Sequence, residues 1–220
     1  EKMRGLAQRC AAHGKADGRM AIGQLATTLP PLFIVVALMF AFVREATCLT
    51  LLLALPASLL VVRLFVIQHD CGHGSFFATR AANDFCGRCL SLLTLTPYGL
   101  WKREHALHHA SCGNLDRRGV GDITTLTVKE YNELPALQRL GYRIYRNPLF
   151  LLGFGMPFYF LVLQRCPWLH GLPSREAWKS VLILDLAMIA FYGALAYVFG
   201  VGELFLIVVP IVALAAAAGG

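Results

Sequence analysis

Residues 47–73 read TCLTLLLALPASLLVVRLFVIQHDCGH, a mainly apolar run that ends in the pair His69 and His73. A second histidine group, His105-Ala-Leu-His108-His109, follows further along the chain, and the two groups hold five of its seven histidines. Residues three and four apart share one face of an α-helix, so His69 and His73 would point together, as would the second group. Imidazoles gathered in this way predict a site for a transition metal that prefers nitrogen ligands.

The composition predicts an integral membrane protein. Hydrophobic residues make up 57% of the 220 residues and charged residues 15%, and the mean hydropathy is +0.58. Soluble domains carry about 25% charged residues. Short turns at Arg44-Glu45 and at Gly200-Val201-Gly202-Glu203 separate apolar segments and predict two helical hairpins. A helix needs about 20 apolar residues to cross a bilayer, and the predicted spans are residues 29–43, 47–68, 181–199 and 204–218.

Residues 149–163 are also apolar, but Gly153, Gly155 and Pro157 interrupt them, and we expect a half-buried or interfacial helix there. The predicted fold class is therefore all-α, with four transmembrane helices in two hairpins and a cytoplasmic helical cap that carries the histidines. Residues 1–28 are expected to form a cytoplasmic N-terminal segment, and residues 29–220 a membrane domain. Because the chain starts at Glu1 and ends in an apolar run, we expect it to be truncated, above all at the C-terminus.

The basic residues predict the orientation of the chain. Of 20 Lys and Arg residues, five precede residue 29 and fourteen lie between Arg63 and Lys179, whereas the two hairpin turns hold only Arg44. Basic residues mark the cytoplasmic side of a membrane protein, so the N-terminus and residues 69–179, with both histidine groups, are assigned to the cytoplasm. The net charge of +7 is then a topology signal that also attracts anionic lipid headgroups. The sequence contains no basic patch interleaved with aromatic residues of the kind that would indicate nucleic-acid binding.

Several kinds of site use histidines in this way. The stretch HDCGH resembles the HExxH motif of zinc proteases, but its acid, Asp70, is one methylene shorter and the second histidine group would have no role. A haem needs only one or two axial histidines. A di-iron site uses all five histidines with further ligands from elsewhere, and we prefer this interpretation. A histidine-rich metal transporter is the non-enzyme alternative, although transporters place their ligands near the bilayer midplane.

Four motifs follow one another along the chain: HDCGHGSFF (69–77), WKREHALHHA (101–110), GNLDRRGVGDITTLTVKEY (113–131) and YRNP (145–148). In this order they resemble the membrane fatty acid desaturase family, most closely its bacterial and plastid-type acyl-lipid omega-6 (delta-12) branch. In that resemblance His69 and His73 match the first histidine box, and His105, His108 and His109 match the second. A third box, HxxHH, and a further ligand upstream of it have no match here, and we expect them beyond residue 220.

The resemblance implies that the protein uses dioxygen to remove two hydrogens from a fatty acyl chain linked to a lipid or a carrier. Two iron ions, cycling between Fe2+ and Fe3+, would be held by the five histidines. Electrons would come from a separate ferredoxin or b-type cytochrome, since the sequence contains no Fe–S or haem motif. The expected location is a bacterial inner membrane, with several spans and the active site on the cytoplasmic face. A di-iron hydroxylase or a carotenoid ketolase shares this arrangement of boxes and remains an alternative.

Polar residues close to the histidines are candidates to orient the imidazole N–H groups. The alternative for each of them is the ordinary polarity of a solvated loop. Asp185, in the third predicted span, either has a function or reaches the membrane interface. The candidates near the histidines are Asp70, Glu104, Asn114, Asp116 and Asp122.

The charge asymmetry makes a prediction about membrane sidedness. In a cysteine-free background, Arg44→Cys and Gly202→Cys should react with a membrane-impermeant maleimide added from outside, because both hairpin turns are assigned to the outer side. Arg118→Cys should react only after the membrane is opened. Labelling of residue 118 in sealed cells or vesicles would contradict the predicted orientation.

Overall fold

The computed structural model describes residues 16–118 and 123–219, which contain helices and loops but no β-strand. The first half consists of helices α1 (Gly18–Ala26), α2 (Leu29–Phe42), α3 (Thr47–His73), α4 (Arg80–Thr94) and α5 (Tyr98–Ser111). The second half consists of α6 (Val128–Glu133), α7 (Ala136–Tyr145), α8 (Pro148–Phe150), α9 (Met156–Leu161), α10 (Arg175–Phe199) and α11 (Val201–Gly219). A π-helical turn, Leu151–Gly155, joins α8 to α9, and short 3₁₀ turns lie at Leu115–Arg117, Leu163–Arg165 and Pro167–His170.

Five helical stretches are long and apolar enough to cross a membrane, where the sequence predicted four. The stretch in excess is Pro148–Arg165, which has a mean hydropathy of 1.3, against 2.1 to 2.4 for the others. The all-helical class with several candidate spans is confirmed, but the number four is not. The other four stretches are Gly18–Phe42, Thr47–His73, Arg175–Phe199 and Val201–Gly219.

The helices extend further than the apolar segments that predicted them. Helix α3 continues past residue 68 to His73, where Gly74, at a φ of +72°, caps it with a left-handed residue. Helix α10 begins at Arg175 rather than at 181, because the side chain of Ser174 accepts a hydrogen bond from the N–H of Ala177 at its N-terminus. The predicted four-residue turn at 200–203 reduces to Gly200 alone, since α11 already begins at Val201.

Both hairpin turns lie at the same end of the bundle. The Arg44 Nε donates to Glu203 Oε1 at 2.7 Å, and the Arg44 guanidinium also reaches the carbonyl of Phe199 at 3.3 Å. The rings of Phe40 and Phe199 stack beside this pair with centroids 4.2 Å apart. Helix α3 has 27 residues, so at 1.5 Å per residue it spans about 40 Å. Its histidines are therefore at the opposite end of the bundle from the two turns.

Polar contacts join the histidine end of α3 to α4. Gln68 is fully buried; its amide donates to Ser91 Oγ at 3.2 Å and accepts from Thr94 Oγ1 at 2.6 Å. Nearer the middle of α3, Ala54, Ala57 and Ser58 are also buried. Small side chains allow neighbouring helices to approach closely, and hydrogen bonds between helices hold them in register in an apolar environment.

Asp185 forms an ion pair inside the helical bundle. Its Oδ1 lies 3.4 Å from Arg165 Nε, and the same guanidinium donates to the carbonyls of Leu95 at 2.7 Å and Phe160 at 2.6 Å. Arg165 thus connects the end of the 148–165 stretch to both α4 and α10. The sequence left open whether Asp185 has a function or reaches the membrane interface, and its contact with Arg165 is a feature that neither possibility included.

The Arg165–Asp185 pair makes a prediction about stability. Asp185→Leu should lower the free energy of unfolding by about 1–2 kcal/mol, the size of polar contacts between membrane helices, because it leaves the guanidinium without its carboxylate. Thermal unfolding in detergent micelles measures the change. Glu133→Ala is the control, since the Glu133–Lys129 pair is long, at 3.9 Å, and exposed. Equal melting temperatures for Asp185→Leu and the control would contradict a stabilising role.

Candidate metal centre

The first histidine pair occupies the last two turns of α3. His69 and His73 are four residues apart and project from one face, with ring centroids 4.5 Å apart and Nε2 atoms 3.3 Å apart. The helical geometry that the sequence predicted for this pair is present because α3 does not end until Gly74.

The second histidine group lies on α5 and meets the first. The Nε2 atoms of His105 and His109 are 3.0 Å apart, and His73 Nε2 is 3.1 Å from His105 Nε2. Four imidazoles therefore present one nitrogen each to a common point, and these atoms all lie within 4.8 Å of one another. His69 and His105 are partly buried, whereas His73 and His109 are exposed, so the group is open on one side.

His108 is the one predicted ligand that lies outside this group of four. Its ring centroid is 5.9 Å from that of His105 and 5.5 Å from that of His109, and its Nδ1 is buried. On an α-helix each residue turns by about 100°, so a residue adjacent to His109 in sequence points to a different side. His105 and His109 therefore point to the same place, whereas His108 lies beside them and does not share their face as the sequence predicted.

Trp101 holds the second histidine group against the first. Its ring stacks on His105 with centroids 4.7 Å apart and planes 14° apart, and Phe65 of α3 contacts its edge at 5.4 Å. The ring also covers Gly72, where a Cβ atom would lie only 2.8 Å from it. A glycine between the two ligands of α3 therefore lets α5 approach closely enough for the imidazoles to meet.

Tyr98 fixes the beginning of α5 in the same way. Its hydroxyl lies 2.9 Å from the carbonyl oxygen of Cys71 and 3.0 Å from Asp84 Oδ1, which also accepts from Lys102 Nζ at 2.7 Å. Its ring rests on Gly87 of α4, where a Cβ atom would lie 2.3 Å away. Burial, together with the neighbouring Asp84 carboxylate, raises the pKa of Tyr98, so the phenol stays protonated. The sequence analysis did not identify this residue, although it is an aromatic residue two helical turns before His105.

The electrostatics of the group favour neutral imidazoles. Burial, followed by the proximity of the other histidines, lowers the pKa of His105 to about 4. A neutral imidazole has the free nitrogen lone pair that a metal ligand needs. The donor set is entirely nitrogen, the kind that iron, zinc and copper accept. The residues present therefore fit a transition-metal centre, and four imidazoles exceed what a haem iron takes from its protein.

The polar residues predicted to orient the histidines differ in burial and in the groups that they contact. Asp70 Oδ1 is 3.3 Å from His69 Nδ1, and Glu104 is buried, with Tyr159 donating to it from 3.4 Å. Asn114, by contrast, accepts from the backbone N–H of Asp116, a local contact within an exposed loop. Asp122 lies outside the described residues. The structure thus brings Asp70 to a histidine, and for Asn114 and Asp116 it gives the contact of an ordinary loop.

Comparison with known proteins places the chain in a family. The model of the family described as "Fatty acid desaturase" matches residues 46–219. The chain belongs to the fatty acid desaturase family. The matched segment contains both histidine groups, Trp101 and Tyr98, so the centre of this desaturase-family chain lies wholly within the residues that the family model matches. The resemblance noted in the sequence is confirmed at this level.

Individual relatives agree with the family. A fatty acid desaturase of Bacillus subtilis (strain 168) is 35% identical over 210 residues, covering 96% of the chain and 59% of that protein. An sn-1 acyl-lipid omega-3 desaturase (ferredoxin) of Nostoc is 32% identical over 148 residues, covering 62% and 38%. An sn-1 oleoyl-lipid 12-desaturase of Synechocystis is 33% identical over 89 residues, covering 40% and 25%. The chain thus spans three fifths or less of the length of these relatives. No solved structure matches it.

The contact between Tyr98 and Gly87 makes a prediction about the centre. Gly87→Ala should lower the free energy of unfolding by about 1–3 kcal/mol, the usual cost of overpacking, and should reduce bound iron, because the new methyl group displaces the start of α5. The melting temperature and the metal content of the purified protein measure the two effects.

Gly141→Ala is the matched control for this prediction. It makes the same change within a helix, but nothing lies within 4 Å of the new Cβ. Its stability should be unchanged or higher by up to about 1 kcal/mol through helix propensity. If Gly87→Ala behaved like Gly141→Ala, the close packing of Tyr98 on α4 would not be needed for the centre.

Proposed function

We propose that the protein is an oxygen-dependent fatty acyl desaturase, which introduces a cis double bond into an acyl chain linked to a lipid or a carrier. The observation that carries the proposal is the convergence of four imidazoles at the end of a long apolar helix, in a chain of the desaturase family. An unactivated C–H bond offers no handle to acid, base or nucleophile chemistry, so a redox-active centre is required.

The proposed ligands of a pair of iron ions are His69, His73, His105, His108 and His109. When bound, iron would supply the activation of dioxygen. The part of the protein is to hold the imidazoles neutral and correctly turned. Gly72 and Trp101 bring α3 and α5 together, and the Asp70 carboxylate is placed to fix the ring of His69.

Two apolar cavities within the helical bundle, one of which reaches Phe65, support an acyl substrate. A cavity of about 560 Å³ lies among α2, α10 and α11, and a smaller one of about 40 Å³ shares Val61, Leu93 and Val212 with it. The smaller cavity is lined by Phe65, whose ring touches Trp101, and Trp101 in turn stacks on His105. We propose that the acyl chain lies along these walls, which exclude water and hold its methylenes near the metal.

The proposed topology has four membrane-crossing helices, with both termini and residues 69–179 in the cytoplasm as a helical cap. Residues 1–28 form the N-terminal segment and residues 29–220 the membrane domain. Two contacts support an interfacial position for 148–165 rather than a fifth crossing. Tyr159 reaches Glu104 next to the histidines, and Arg165 reaches the carbonyl of Leu95 at the end of α4. Its interrupted α–π–α geometry agrees with this position.

The proposed specificity is of the omega-6 (delta-12) type, with electrons from a separate ferredoxin or b-type cytochrome and with the active site on the cytoplasmic face of a bacterial inner membrane. One relative carries a 12-desaturase name, and two relatives carry both omega-3 and ferredoxin names. Product analysis of the acyl chains gives the position of the double bond. It also distinguishes the related hydroxylase or carotenoid ketolase, since desaturation removes two hydrogens, whereas those reactions add oxygen.

The ligand assignment predicts a sharp contrast between histidines. In the full-length enzyme, expressed in membranes with its electron donor, substitution of any one cluster histidine by Ala should abolish desaturation and reduce bound iron. His13→Ala and His170→Ala are matched controls, because neither belongs to the two groups, and they should retain most activity. A cluster variant with unchanged turnover and iron content would remove that residue from the ligand set. His69, His73, His105, His108 and His109 are the five positions to change.

A further inference from the structure

A charged cleft opens between α4, α5 and α10, on a side of α5 adjacent to the one that carries the metal-centre histidines. It encloses about 660 Å³. The residues Arg80, Asp84 and Arg88 follow one face of α4 at intervals of one helical turn, as positions four apart do. The facing walls contribute the charged residues Lys102, Arg103, Glu176 and Lys179.

The carboxylates of the cleft are already paired. Asp84 accepts from Lys102 at 2.7 Å, and Glu176 Oε1 lies 3.3 Å from Lys179 Nζ. Three arginines of the cleft have no carboxylate partner within residues 16–118 and 123–219. Arg103 donates to the neutral hydroxyl of Ser174, and the side chains of Arg80 and Arg88 make no ion pair there. Although burial raises the pKa of Asp84, its hydrogen bonds from Lys102 and Tyr98 lower it overall, so the carboxylate stays ionised and keeps Lys102 in place.

The far end of the cleft is apolar. Leu92, Ile183 and Ala187 line it. Leu92 lies twelve residues beyond Arg80 on α4, and on α10 Ile183 and Ala187 lie seven and eleven residues beyond Glu176. At 1.5 Å per residue, Leu92 and Ala187 are about 16–18 Å from the charged residues that begin their helices, and Ile183 is about 10 Å from Glu176. Ile183 is 68% exposed, as a side chain facing lipid would be. The cleft therefore joins a cationic mouth to a hydrocarbon-like groove.

We propose that this cleft binds an anionic glycerophospholipid, with its phosphate headgroup among Arg80, Arg88 and Arg103 and an acyl chain along Leu92, Ile183 and Ala187. Guanidinium groups match phosphate oxygens in a bidentate geometry and attract a net negative headgroup. A free phosphate would use the mouth alone and leave the apolar wall in contact with water. A docked protein would need to insert into the concave cleft both an acidic group for the arginines and an apolar group for the far wall. The lipid satisfies both ends, and its binding does not depend on the proposed desaturation.

Native mass spectrometry of the protein in a neutral detergent tests the proposal. Three probes are titrated: dioleoyl phosphatidylglycerol, a galactolipid with the same acyl chains but no phosphate, and glycerol phosphate with no acyl chain. Phosphatidylglycerol should give a saturable one-to-one adduct, with an affinity at least tenfold higher than that of either other probe. Equal affinity for the galactolipid would remove the arginines from the site, and equal affinity for glycerol phosphate would make it a site for soluble anions.

Two charge-matched double variants locate the adduct. Arg80→Gln with Arg88→Gln should weaken phosphatidylglycerol binding at least tenfold, whereas Arg117→Gln with Arg146→Gln, which removes two exposed arginines elsewhere, should not. All four side chains are exposed, so the melting temperature should stay unchanged, and Arg88→Glu serves as an independent variant. An unaffected adduct in the cleft variants would overturn the proposal. So would loss of binding to an acidic soluble protein with phosphatidylglycerol binding intact, which would make the cleft a protein-docking surface.

Discussion

The close approach of α5 to the last two turns of α3 is the constraint on which the remaining features depend. It requires Gly72, which leaves room for the ring of Trp101, and it is held by the Tyr98 hydroxyl at the carbonyl of Cys71. Both contacts fall within or directly before the histidine groups. Because Cys71 and Gly72 lie between His69 and His73, the backbone that presents the ligands is also the backbone against which the partner helix packs. Ligand geometry and helix packing therefore cannot change independently.

The bilayer explains why polar contacts occupy particular levels of the bundle. At one end Arg44 pairs with Glu203 across the two hairpin turns, and the histidines lie about 40 Å away at the other end of α3. Between them, Gln68 bonds to α4, and Arg165 bonds to Asp185 and to backbone carbonyls. Unpaired polar groups are costly in an apolar environment, so these bonds select one packing of the helices.

The sequence predicted the features that depend on local periodicity. The one-turn spacing within each group correctly predicted that His69 and His73 share a face and that His105 and His109 do so, and the order of the motifs identified the family. Features set by tertiary packing could not be predicted from the sequence. The spacing of the second group did not show which of His108 and His109 would point toward His73. The role of Gly87 depends on the ring of Tyr98, which belongs to another helix. The extension of α3 to His73 could have been predicted from Gly74, because glycine frequently caps the C-terminus of a helix. The length of the apolar run alone placed the end of the predicted span at residue 68.

The two proposed sites share α5, and this arrangement has a physical consequence. Trp101 and His105 lie toward α3, whereas Lys102 and Arg103 line the cleft against α4 and α10. The Lys102–Asp84–Tyr98 contacts connect the two sides, because Asp84 accepts from a residue of the cleft and also from the tyrosine that fixes the start of the histidine helix. Asp84 is thus the one side chain among these contacts that belongs both to the cleft and to the hydrogen bonds that fix the beginning of α5.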